Sequence, residues 1–195
     1  MYGKTEAGVG LPVLVDSSGA LIVSETGKYR EATKAGRVFV VSNQAPINVI
    51  AGMHATYTGL AVCNPAGSGK NIAMLGFGYA QTIAVPTTAC AIGLMTGTGT
   101  GDAAKAIVAR NRLSGGVASV ANCDDDCAFD ATPVLEQVFS FFNTGAVTNP
   151  AGAPVNWVDL DGSLILTPGY YAAAYCQAVN DATFIFSFMW EEYTP

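Results

Sequence analysis

The densest chemical grouping in the chain is Cys123-Asp124-Asp125-Asp126-Cys127, followed by Asp130. Adjacent carboxylates repel one another, and a loop that wraps them round a hard cation relieves the repulsion. Asp124, Asp125, Asp126 and Asp130 are therefore a candidate calcium site, although the spacing is not that of an EF-hand and no glycine marks the turn. Two other readings stand beside it: a solvated acidic loop, or a short disulfide between Cys123 and Cys127 formed in an oxidising medium. His54 is the only histidine, so a Ser–His–Asp, Cys–His or ordinary zinc centre would have to use it. Its neighbours Met53, Ala55, Thr56 and Tyr57 carry no nucleophile motif, and no Gly-x-Ser-x-Gly elbow occurs.

Gly67-Ser68-Gly69-Lys70-Asn71 imitates a phosphate-binding loop. Asn64 and Asn71 stand where that loop needs a glycine and a Ser or Thr, and the segment joins two strand-like runs rather than a strand and a helix. Asp159 and Asp161 would share a face as a glycosidase-type pair only in an extended segment, whereas Asp161-Gly162 is a turn signal. Glu191 and Glu192 are consecutive and point to opposite faces of a strand. The expectation is a protein with no catalytic set, no cofactor site and, the acidic candidate apart, no metal site.

The elements that would position these groups are mostly short strands. Leu11–Val15 and Leu21–Val23 flank Asp16-Ser17-Ser18-Gly19 as a hairpin, and Lys28–Ala35 reads as a short helix closed by Gly36. Strands are expected over Arg37–Val41, Thr58–Cys63, Asn71–Thr82, Cys90–Thr96 and Val134–Phe142, with a break at Asn43-Gln44-Ala45-Pro46. Ala103–Arg112 fits a helix or a strand. Trp157–Leu160 and Ser163–Leu166 flank Asp161-Gly162 as a second hairpin. Another strand opens at Gly169-Tyr170-Tyr171, with Tyr171, Ala173 and Tyr175 on one side. The clearest alternation is at the end, where Phe184, Phe186, Phe188 and Trp190 share one face as core or as an oligomer seam. Together these predict an all-β chain: a jelly-roll-like β-sandwich body over 38–195, preceded by an N-terminal arm or small subdomain over 1–37.

Composition narrows the function. Of 195 residues, 50% are hydrophobic and 12% charged, against about 25% charged in an average soluble domain. So few charges cover a surface poorly, which implies that part of it is buried against partners. A net charge of −6 argues against nucleic acid and anionic membranes as partners. Asn71–Gly101 carries no side-chain charge but Lys70 directly before it, and Pro86 with repeated glycines argues against a spanning helix. Met1–Gly10 lacks a basic segment followed by an apolar core, so synthesis in a reducing cytoplasm is expected, with the five cysteines mostly small buried hydrophobes.

Several stretches are similar to a family of small structural proteins encoded among the head genes of tailed phages. They are Leu11-Pro12-Val13-Leu14-Val15 with Leu21-Ile22-Val23, Gly27-Lys28-Tyr29-Arg30-Glu31-Ala32, and Gly36-Arg37-Val38-Phe39 with Asn43-Gln44-Ala45. Tyr57-Thr58-Gly59-Leu60, Asn64-Pro65 and Gly67-Ser68-Gly69-Lys70-Asn71 follow, then Leu166-Thr167-Pro168-Gly169-Tyr170-Tyr171 and Phe188-Met189-Trp190-Glu191-Glu192. The resemblance spans most of the chain and is weakest between Thr96 and Ala131; Cys123–Cys127 is not part of the pattern. It implies a non-enzymatic capsid decoration or cement protein that binds the major capsid protein lattice and stabilises the head. It also implies a homo-oligomer, a trimer, on the capsid exterior of a virion assembled in the host cytoplasm, with no catalytic residues. Expected interface residues are Lys28, Tyr29, Arg30 and Arg37 of the arm, and Phe184, Phe186, Phe188 and Trp190 of the last strand. The alternative is a tail or fibre-associated jelly-roll module binding host-surface glycans, for which Tyr57, Tyr79, Tyr170, Tyr171 and Trp157 supply stacking rings.

Overall fold

A computed structural model of the chain describes residues 2–4, 10–12, 28–83, 90–99, 107–142, 155–177 and 183–195. The chain divides into two units, Met1–Glu31 and Ala32–Pro195. In the first, β1 (Tyr2–Lys4) pairs antiparallel with β2 (Gly10–Pro12), Tyr2 standing opposite Pro12. The hairpin expected around Asp16–Gly19 lies outside the described residues. The helix expected over Lys28–Ala35 is α1 (Arg30–Lys34), with Glu31 in its first turn and Lys34 in its last, as the helix dipole favours. Gly36 ends it at φ 70°, its N–H bonding the Thr33 carbonyl while the Arg37 N–H bonds the Ala32 carbonyl. That double closure is a Schellman cap, and the left-handed position is why a glycine stands there.

The second unit is an antiparallel β-sandwich. Its strands in chain order are β3 (Val38–Ser42), β4 (Ile47–Asn48), β5 (Thr56–Cys63), β6 (Asn71–Ile83) and β7 (Cys90–Thr98). There follow β8 (Arg110–Asn111), β9 (Asn122–Ala128), β10 (Val134–Phe142), β11 (Val155–Leu166), β12 (Tyr170–Cys176) and β13 (Thr183–Tyr193). One sheet runs β11-β6-β13-β3-β8, with β4 also on β13; the other runs β10-β7-β12-β5-β9. Removing β4, β8 and β9 leaves strands that pair from the outside inward: β3 with β13, β5 with β12, β6 with β11 and β7 with β10. A long hairpin rolled up in this way is a jelly roll, so the expected fold class is the one observed.

The segment 107–133 is the addition to that plan, and it supplies β8 to the edge of one sheet and β9 to the edge of the other. It is held by backbone bonds from Ile107 N to Cys123 O and from Arg112 N to Val38 O. The Asn111 amide adds bonds to the carbonyls of Gly36 and Val117. Added edge strands cover backbone groups that would otherwise invite pairing with other chains. The opposite edges, β10 and β11, carry no further strand among the described residues.

The last strand shows why the sandwich forms. Its burial alternates along every residue, with Phe184, Phe186, Phe188 and Trp190 fully inside. Phe77 of β6 meets Phe186 and Phe188 at ring-centroid distances of 5.8 and 5.1 Å and Phe139 of β10 at 5.5 Å, which ties the two sheets together. The expectation that this row offers an interface is therefore corrected. Its side chains are spent within the chain, because an aromatic face on a central strand gains most by facing the opposing sheet.

Two further expectations change. Asp161-Gly162 does not make a hairpin: both flanks lie in the single strand β11 and both pair with β6. Register passes from Asp159↔Gly76 to Leu164↔Met74, so Leu160–Ser163 form a wide bulge opposite Leu75. Asp161 and Gly162 take φ 54° and 75° there, so the turn geometry is real but the strand resumes its direction. Cys123–Cys127 is strand β9 rather than a loop. Residues four apart along a strand sit about 13 Å apart, and Cys123 and Cys127 are both free and buried, so the pairing considered between them does not occur.

Where strands must stop, asparagine side chains replace backbone groups. Asn43 donates to the Phe184 carbonyl at 3.1 Å and accepts from Phe186 N at 2.6 Å, ending β3 beside β13. Asn64, wholly buried at the corner where β5 leaves one sheet for β6 in the other, donates to the carbonyls of Lys70 and Leu166 and accepts from the Ser68 hydroxyl. Asn64→Asp keeps the shape but removes both donors and adds a buried charge: the Leu166 carbonyl loses its side-chain donor, at about 1–3 kcal/mol, while the Lys70 carbonyl keeps the Ser68 hydroxyl. Its urea midpoint is expected to fall by an amount equivalent to about 2–4 kcal/mol; a midpoint equal to that of the unaltered chain would contradict this role for the corner.

Candidate functional site

The acidic constellation disperses on folding. Successive strand residues face opposite ways, so Asp124 and Asp126 lie on one side of β9 and Asp125 on the other. Asp124 is buried and accepts the Asp126 N–H at 3.1 Å, while Asp126 and Asp130 are exposed. Among the described residues no three His, Cys, Asp or Glu side chains converge to hold a metal ion. The calcium candidate is thereby corrected, since a cation needs its oxygen ligands on one side of a wrapping loop.

His54 is exposed in the connection between β4 and β5. The phosphate-loop imitation at Gly67–Asn71 joins strands of opposite sheets, organised round Asn64, and the Lys70 ammonium lies 3.5 Å from the Glu192 carboxylate. Glu192 was visible in the sequence only as a strand residue facing away from Glu191. It turns out to be a buried anchor, its Oε1 accepting from Val120 N at 3.0 Å, Trp190 Nε1 at 3.3 Å and the Ser119 hydroxyl. A buried carboxylate is tolerable only with such partners, and here they pin the 107–133 segment to the sandwich. No local sequence signal marks it, because its partners, apart from its neighbour Trp190, lie 72 positions or more away along the chain.

The arm residues are on the surface. Lys28 places its ammonium 5.4 Å from the Tyr29 ring centroid, Arg30 is exposed in α1, and Arg37 bonds Glu191 at 2.9 Å with half its side chain open to solvent.

Exposed large apolar side chains lie on the segment that carries β8, at Val108, Leu113 and Val117, and form a further group on the edge strands β10 and β11. Val134, Val138 and Phe141 of β10 are 66%, 46% and 66% exposed, and Trp157 and Ile165 of β11 are exposed to nearly half. The sequence reading identified Val134–Phe142 as apolar and aromatic; which sheet edge would be left open depends on topology.

Trp157 has its own geometry. A Cβ on Gly76 would come within 2.2 Å of the indole and one on Gly78 within 2.8 Å, so the ring lies directly over two glycines of β6. Only glycine permits that approach. Its Nε1 donates to Asp159 Oδ1 at 3.0 Å. Tyr79, Asn156, Ile185 and Ser187 border a shallow depression of about 270 Å³ beside it. Asp159 is thus tied to an indole and Asp161 sits in the bulge turn, which leaves the two carboxylates in different local settings.

The fold class and the site together define an antiparallel jelly-roll sandwich in which, among the described residues, one pair of edges is covered and the other is not. No family model, curated protein or solved structure matches the chain.

The interior of the five-stranded sheet makes a pH prediction. Burial pushes the hydroxyls of Tyr57 and Tyr171 and the thiol of Cys123 above their usual range, and a hydrogen bond with Cys63, followed by burial, does the same to Cys127. Raised folded-state values mean that the unfolded chain loses these protons first, so stability is full below the unfolded values and declines above them. Each group contributes at most about 1.4 kcal/mol per pH unit. Chemical-denaturation midpoints are expected to hold from pH 7 to about 8.5 and to decline increasingly from there to pH 11; a flat profile to pH 11 would contradict the burial of these groups.

Proposed function

We propose that the chain is a non-enzymatic virion structural protein, a capsid decoration or cement protein that binds the major capsid protein lattice and stabilises the head. The observation that carries this reading is the unequal treatment of the sheet edges: segment 107–133 covers one pair, while among the described residues β10 and β11 carry no further strand and hold Val134, Val138, Phe141, Trp157 and Ile165 on the surface. A chain with 12% charged residues that leaves aromatic and branched side chains exposed on edge strands is suited to burying them against another protein. The jelly roll supports the reading as a fold used in viral shells, although fold alone does not decide function. The proposal extends to a trimer on the capsid exterior, assembled in the host cytoplasm, as the resemblance of the sequence segments to head-gene structural proteins implies. On this account Lys28, Arg30 and Arg37 contribute charge and Tyr29 an aromatic ring to contacts with the lattice, and separately the edges β10 and β11 supply buried area.

A second reading is favoured by one feature. Trp157 lies flat over Gly76 and Gly78 with nearly half its surface open, beside Asp159, Asn156 and Ser187. A flat ring flanked by hydrogen-bonding groups can stack on a sugar, as a tail or fibre module recognising host glycans requires. Co-sedimentation with purified heads that lack the chain separates the two. The capsid reading expects saturable binding that Phe141→Asp weakens at least tenfold, and that Lys28→Glu with Arg30→Glu weakens at low salt while reducing its loss on adding salt. No binding to heads, together with binding to host-surface glycans lost in Trp157→Ala, would overturn it in favour of the second.

A further inference from the structure

All five cysteines lie on the five-stranded sheet: Cys63 on β5, Cys90 on β7, Cys123 and Cys127 on β9, and Cys176 on β12. Two of them nearly touch. The sulfurs of Cys90 and Cys176 are 3.1 Å apart, both buried, on adjacent antiparallel strands. Register sets Cys176 opposite Ile92, so Cys90 is its diagonal neighbour on the same face. We propose that Cys90 and Cys176 form a latent cross-strand disulfide, reduced when the chain folds and closed when a peroxide-class oxidant reaches the pair. The inference rests on this geometry and not on the functional reading above.

Sulfurs at this separation need to approach by only about 1 Å to reach bonding distance. The strand ends can supply that movement, because Cys90 is the first residue of β7 and Cys176 the last of β12. Ends open more readily than strand centres, and this also gives a small oxidant its route to buried sulfur. The thiolate of one cysteine attacks an oxygen of hydrogen peroxide, breaking the O–O bond and giving a sulfenic acid and hydroxide. The second sulfur then displaces the sulfenic oxygen as water and forms the S–S bond. In sum, two thiols and one peroxide become one disulfide and two waters.

Among the other cysteines, Cys63 has a thiol neighbour in Cys127, and the identity of the linked peptide distinguishes that pair. Cys123 and Cys127 share a strand, and both thiols resist the ionisation that attack requires. A bond between Cys90 and Cys176 would fasten β7 to β12 at the end where Gln177 N already bonds the Ala91 carbonyl. It would cross-link positions 86 residues apart, the kind of long closure that restricts an unfolded chain most.

The test uses the full chain, purified under reductant, freed of it, and treated with equimolar hydrogen peroxide. After unfolding, titratable thiols are expected to drop from the five in the sequence to three. Chymotryptic peptides should include one joining Cys90 to Cys176, and the melting temperature should rise by about 5 °C or more. Cys176→Ala, treated alike, should yield no linked peptide and no rise in melting temperature. Five persistent thiols, a linkage through Cys63, Cys123 or Cys127, or a bond between two chains would each overturn the proposal.

Discussion

Burial of the aromatic row on β13 is the interaction from which the rest of the structure follows. Phe184, Phe186, Phe188 and Trp190 occupy every second position, so their strand has one face that must leave water and one that need not. Placing that strand at the middle of its sheet, between β6 and β3, lets each ring meet the opposing layer. Losing one such ring from a packed core costs about 3–5 kcal/mol, a large share of the stability of a typical domain. The outside-in pairing of the jelly roll then places β3 and β6, which are far apart in the chain, on either side of its last strand.

A rolled hairpin of this kind still has ends and edges to manage. Ends are managed by Asn43, Asn64 and Asn111, whose amides donate and accept like a backbone unit at the points where the ladder stops. Among the described residues, edges are covered on one side only. Segment 107–133 covers β3 and β5 with β8 and β9, and Glu192 fastens it by accepting from Val120 and Ser119. Among the described residues, β10 and β11 combine backbone edges that carry no further strand with exposed Val, Phe, Ile and Trp side chains, and that combination is the physical basis of the capsid-binding proposal.

The sequence was most informative where pattern is local. Alternation along residues 183–190 identified a strand and its apolar face, Gly36 closed the short helix, and Asn43–Pro46 marked a break. It was least informative where partners are distant. Whether the aromatic face meets a second sheet or a second chain depends on strand order, which alternation does not encode. Asp161-Gly162 has the same turn chemistry in a hairpin and in a bulge, and only the pairing of both flanks with β6 distinguishes them. The run of aspartates in β9 suggested a loop because carboxylates are poor strand formers. Burial of Cys123 and Cys127 on the opposite side from Asp124 and Asp126 outweighs that preference. Glu192, Trp157 over its glycines, and the contact between Cys90 and Cys176 all depend on long-range register.

The central claim concerns where in a particle the chain resides. Separating heads from tails and quantifying the chain in each fraction by mass spectrometry tests it most directly. A decoration protein predicts many copies in heads and none in tails; a few copies confined to tails, or none in either fraction, would contradict the account.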